Sequence, residues 1–170
     1  FAWTPQDLGR PRAACLAYAV FVPEGFTFGK GGRLPGLAGT TATVAEGGEP
    51  AFSTRYTWGA GGEADIHTHL PDWPEGRSIG NERAGFALEP GKWTSLEQEV
   101  VLNSPGKSDG IIRVWRDGRL AFQKKGVTFR TKPSVAIAGV MAEAVAGEQP
   151  PGSKPGPQKI WMTPFELRWQ

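Results

Sequence analysis

Apolar and polar positions alternate with a period of two along much of this chain, the pattern of strands with one buried face. Residues 53–58 (STRYTW) and 64–70 (ADIHTHL) alternate cleanly, and the Gly59-Ala60-Gly61-Gly62 run between them reads as a hairpin turn. Residues 14–22 (ACLAYAVFV) are apolar on both strand faces and too short to need a helix, which predicts a central strand covered from both sides. Pro23, Glu24 and Gly25 end it. Residues 97–102, 111–116 and 119–123 predict three successive antiparallel strands, the last two joined by Asp117-Gly118, a strong two-residue hairpin signal. Residues 134–140 predict another core strand, with a helix left open by their alanine content, and residues 160–169 predict the closing strand. Three stretches read as irregular. Residues 29–39 (GKGGRLPGLAG) hold five glycines and a proline and predict a loop carrying Lys30 and Arg33; residues 71–91 predict a long surface excursion; residues 147–158 predict a Pro/Gly loop.

Composition points the same way. With 24 glycines and 15 prolines among 170 residues, the chain is turn-rich, whereas 39% hydrophobic and 11% aromatic content exceeds what a disordered chain carries. Helices seldom hold so much Gly and Pro, so the predicted class is all-β, a β-sandwich of the jelly-roll kind, as one domain over residues 1–170. The formal net charge of +2 is too small for binding nucleic acid by counterion release, yet it permits an acidic substrate. No apolar run approaches the roughly 20 residues that span a bilayer as a helix, so no membrane partner is expected. Cys15 is the only cysteine, which excludes an intrachain disulfide and a Cys-rich zinc site; alternating with Ala17, Ala19 and Phe21, it reads as a buried small hydrophobe. The chain starts at Phe1, which fits leader cleavage and a cloning boundary equally; a secreted, monomeric protein is the expectation.

The polar positions of the hairpin 53–70 can be solved for register. Ser53, Arg55 and Thr57 point one way, and Asp65, His67 and His69 share one face of the return strand. Matching polar to polar and apolar to apolar across a five-residue loop, 59–63, sets Tyr56 opposite Ile66, Arg55 opposite His67 and Ser53 opposite His69. One cation, two imidazoles, a hydroxyl and a carboxylate then form a compact patch. A solvated outer face would account for it equally simply. Against that reading, both histidines of the chain fall here, two residues apart, and imidazole is the side chain whose ordinary pKa, near 6.5, suits proton transfer at neutral pH. A basic, proton-exchanging face suits an acidic sugar polymer. Two other chemistries remain open. Asp65-x-His67-x-His69 can offer metal ligands, completed by Asp72 or Glu75, and the same sandwich can serve as a sugar-binding module without catalysis.

A family resemblance joins these segments. The run Phe28-Gly29-Lys30-Gly31-Gly32-Arg33-Leu34-Pro35-Gly36-Leu37 resembles the K-G-G-K/R-L-P-G-L signature of the alginate lyases of polysaccharide lyase family 14, and it follows Phe21-Val22-Pro23-Glu24-Gly25-Phe26 as that family has it. Phe52-Ser53-Thr54-Arg55 resembles the family strand bearing Ser-x-Arg, and residues 64–71 match the next strand, where the family usually carries Tyr-x-Tyr. Residues 102–110 (LNSPGKSDG), Trp115 and Asp117-Gly118 resemble a further run common in these chains.

The resemblance implies a concanavalin-like jelly roll with a groove that cuts polyuronates by β-elimination, with no cofactor or metal required. Carried over by position, Lys30 is the essential cation, with Ser53 and Arg55 in the substrate groove. His67 and His69 stand where the family has tyrosines, a departure bearing on both the proton carrier and the substrate. The expected catalytic set is Lys30, Arg55, His67 and His69, with Arg33, Ser53 and Trp73 binding an anionic polysaccharide, alginate or a glucuronate-containing polymer.

Overall fold

The computed structural model describes residues 2–40, 51–70, 79–148 and 159–170. Among them are thirteen strands in two antiparallel sheets packed face to face. The first sheet holds β1 (Ala2–Trp3), β10 (Ala136–Met141), β3 (Gly32–Thr40), β4 (Phe52–Trp58), β5 (Glu63–His69) and β6 (Ile79–Ala87) in that order, and β11 (Val145–Ala146) also pairs with β3. The second holds β12 (Trp161–Met162), β2 (Ala13–Val22), β7 (Lys92–Val101), β8 (Gly110–Arg116) and β9 (Arg119–Val127), with β13 (Glu166–Trp169) also on β2. The expected all-β jelly-roll sandwich is what the chain forms.

The core lies between the sheets. Leu16, Tyr18, Val20 and Val22 of β2, Leu96 and Val100 of β7, and Ile112 and Val114 of β8 meet Leu34, Leu37, Phe52, Tyr56, Trp58 and Ile66 of the first sheet. Period-two alternation drives this arrangement, because each strand has only one face to bury. At the far end of the sandwich Asn103 is fully buried and closes its own loop. Its Nδ2 donates to the carbonyls of Ser104, Lys107 and Arg130, and its Oδ1 accepts from the amides of Phe129 and Arg130. Asn103 and Asp109 thus shape this turn, as their side-chain chemistry implies.

The structure corrects four expectations. Residues 29–39 do not form a loop throughout, since β3 occupies most of that stretch. Its glycines serve close packing: a Cβ on Gly36 would lie 1.6 Å from the Thr54 carbonyl oxygen, and one on Gly32 would lie 2.0 Å from the Trp58 ring. Residues 71–91 are not one excursion, because β6 pairs with β5 over part of them; residues 71–78 lie outside the described residues. β2 is buried on one face only. Cys15 accordingly lies half-buried on the outer face, its thiol donating to Glu97 Oε1 at 2.8 Å. The closing strand is broken into β12 and β13. Pro164 interrupts it, and Thr163 bridges the gap, its hydroxyl accepting from the Ala19 amide (2.9 Å) while its own amide donates to the Ala19 carbonyl (3.0 Å).

Candidate active site

The hairpin β4–β5 pairs Tyr56 with Ile66, Arg55 with His67 and Ser53 with His69, the register that the polar pattern requires. Tyr56 and Ile66 go into the core, so Arg55, Asp65, His67 and His69 are carried on the opposite, outer face of the first sheet.

β3 extends that face through an irregularity. Leu34 pairs with Tyr56 and Gly36 with Arg55, which leaves Pro35 as an extra residue in a bulge. Proline has no amide proton for the ladder, and its carbonyl is taken instead by the Tyr18 hydroxyl from the other sheet at 2.9 Å. Gln98, also from the other sheet, accepts at Oε1 from the Thr54 hydroxyl (2.6 Å) and the Leu37 amide (3.2 Å). The bulge has a consequence for the site. Leu34 and Leu37, an odd number of residues apart, both reach the core, while Arg33 and Gly36 both lie on the outer side. In cross-strand register the face therefore reads Arg33, Thr57, Asp65, Arg83 in one row and Gly36, Arg55, His67 in the next.

Glu143, from the segment between β10 and β11, reaches the two arginines of this face. Its Oε2 accepts from Arg55 Nη1 and lies 3.9 Å from Arg33 Nη1. The Arg55 side chain is only 12% exposed, and its Nε is buried without a hydrogen-bond partner. Burial pulls the Arg55 pKa down, the neighbouring Arg33 charge adds to that, and Glu143 opposes both.

The sequence-predicted residues are not all gathered together. Arg33, Arg55, His67 and His69 share the outer face, His69 exposed and His67 partly covered. Ser53 is in the same row as His69 but only 2% exposed. Lys30 precedes β3 at the Trp58 end of β4, about 10 Å or more along the strand from Arg55. There its Nζ pairs with Glu148 Oε2 at 2.7 Å, and its amide donates to the Glu148 carbonyl. Trp73, Asp72 and Glu75 lie outside the described residues. Among the described residues no three His, Cys, Asp or Glu side chains converge as a metal-ligand set. Glu143 and Glu148 escaped the sequence reading, because nothing in the run MAEAVAGE tells which cations its carboxylates meet.

A two-sheet sandwich whose outer face holds paired guanidiniums beside imidazoles is a jelly roll suited to an anionic polymer. The family model for Polysaccharide lyase 14 matches residues 1–151, and the chain belongs to that family; it is a polysaccharide lyase. Among solved structures it is similar to the PL-14 alginate lyase of Aplysia kurodai, with a TM-score of 0.75 and 25% identity over 98% of this chain and 74% of that one. The alginate lyase of Chlorella virus gives a TM-score of 0.77 and 23% identity over 98% and 74%. The endo-β-1,4-glucuronan lyase of Trichoderma reesei gives 0.64 and 14% over 99% and 79%. A search among curated proteins finds no match.

Proposed function

We propose that the enzyme cuts a uronate polymer, alginate first and a glucuronate polymer second, by β-elimination on the outer face of its first sheet. The observation that carries this reading is the row in which Arg55 stands directly opposite His67, with Arg33 beside it. In the elimination, the C6 carboxylate of a uronate residue is held by Arg55 and Arg33, which lowers the cost of the negative charge that develops as C5 loses its proton. His67 or His69 accepts that proton. The C5–H electron pair becomes the C4–C5 double bond, the C4–O4 bond breaks, and the departing O4 takes a proton from the other imidazole or from solvent. Imidazole at the two tyrosine positions is suited to the role, since its neutral form accepts a proton more readily than a phenol. Lys30, at the rim, adds a cation for a neighbouring uronate. Ser53, with little exposure, is assigned a part in holding the row rather than an open hydroxyl. A substrate of polymer size would meet the enzyme outside the cell, in keeping with the expectation of secretion.

Incubation with a panel of polyuronates, followed by the ultraviolet absorbance of the unsaturated product, tests the reading. Arg55→Ala is expected to lower the rate by about 10²–10³, the usual effect of removing one group that stabilises developing charge. His67→Ala and His69→Ala together are expected to abolish turnover. Wild-type cleavage by the double histidine variant would overturn the base assignment, and cleavage of no uronate polymer by the native enzyme would overturn the substrate class.

A further inference from the structure

Residues 142–148 run back along β3 as a strap. Val145 and Ala146 pair with Arg33 and Gly32, the Gly147 amide donates to the Gly31 carbonyl at 2.6 Å, and the Lys30 amide donates to the Glu148 carbonyl at 2.9 Å. This backbone anchoring delivers two carboxylates onto the basic face. Glu148 meets Lys30 where both side chains are well exposed, 82% and 63%, and such a pair is worth little. Glu143 is placed differently. It meets a guanidinium that is 12% exposed, with a second guanidinium 3.9 Å away.

The open edge of Arg55 decides what this contact does. Its Nε is sealed from solvent, so a carboxylate arriving from outside meets the Nη end, and Nη1 is already held by Glu143. We infer that Glu143 is a built-in competitor for the substrate, an internal carboxylate on the Arg33–Arg55 pair that a uronate carboxylate displaces and a neutral sugar does not. Exchanging one carboxylate for another keeps the charge-assisted bond. Putting a sugar hydroxyl in its place exchanges that bond for a neutral one about half as strong. The displaced side chain has somewhere to go, because Glu143 is 38% exposed and lies in the stretch between β10 and β11 that belongs to neither strand.

This inference rests on the polyuronate reading, and its test separates the two. Glu143→Gln and Glu143→Asp are compared with the native enzyme in the elimination assay, and by calorimetry with glucuronate and with a neutral gluco-oligosaccharide, after thermal melting shows that each is folded. Glu143→Gln is expected to lower KM for the polymer and Kd for glucuronate by about two- to fivefold, the range for one partly exposed ion pair. The neutral sugar, which does not displace Glu143, is expected to bind the native enzyme and Glu143→Gln alike, so the preference for glucuronate widens by the same factor. Glu143→Asp, which keeps the charge, is expected to hold KM near the native value. A folded Glu143→Gln with unchanged or raised KM, or with glucuronate affinity equal to the native enzyme's, would overturn the inference. If the native enzyme cleaves no polyuronate, the substrate reading fails by itself, and the glucuronate titration still decides for or against Glu143.

Discussion

At the scale of single residues, surroundings rather than residue type set the chemistry. Arg55 and Arg113 are both guanidiniums paired to a glutamate, yet Arg113 with Glu99 belongs to the outer face of the second sheet, while Arg55 is wedged between a core-facing bulge and Glu143. Cys15 makes the same point in the other direction. Burial first, then the bond to Glu97 and that carboxylate's charge, push its thiol up to about 12. A raised value favours the protonated form, so near pH 8 the folded protein holds far less thiolate than the unfolded chain, whose thiol titrates near 8.5. Alkylation of Cys15 by iodoacetamide at pH 8 is therefore expected to run on the order of 10³-fold slower in the native protein than in urea. Comparable rates in the two states would contradict the hydrogen bond to Glu97. The alternation along residues 15–21 reads Cys15 as a buried small hydrophobe, whereas it lies half-buried on the outer face. The face it occupies depends on β2 being covered on one side only, which no window of nine apolar residues reveals.

At the scale of elements, β3 is where local propensity and tertiary structure part most sharply. Five glycines and a proline argue against a strand when read alone. Between β4 and β10 the same residues are what permit one, because the neighbouring backbones and rings come too close for side chains. Gly36→Ala is expected to destabilise the protein by about 1–3 kcal/mol or more, since the new methyl meets the β4 backbone rather than a flexible side-chain end. Urea unfolding measures this, and a midpoint equal to the native one would mean that β3 and β4 do not approach as described. By contrast, the β8–β9 turn was legible outright. Asp117 and Gly118 take φ of 50° and 74°, the left-handed pair that an Asp-Gly turn of the primed type needs. Its information is local, whereas that of β3 lies in what its neighbours are.

For the whole molecule, one core shared by both sheets is the decisive feature. Tyr18 reaching Pro35, and Gln98 reaching Thr54 and Leu37, tie the sheets together through buried hydrogen bonds, and Lys124 joins β9 to Glu82 of β6 at one edge. The large fully buried side chains of each sheet, such as Leu16 and Leu96 on one and Phe52 and Tyr56 on the other, lie in this shared core. Tryptophan fluorescence and far-ultraviolet circular dichroism are therefore expected to report one coincident unfolding transition in urea, and separate midpoints would show that the sheets open independently. The amino-acid order by itself determined the all-β class, the Arg55–His67 and Ser53–His69 pairings and the tight turns, because period-two patterning and turn chemistry act over a few residues. Tertiary structure alone decided that the glycine-rich segment is a strand, that its bulge turns Arg33 toward Arg55 while Lys30 stays at the rim, and that Glu143 meets them from 88 residues beyond Arg55. Those outcomes depend on contacts between distant segments, and a linear pattern carries no record of which surfaces fold against each other.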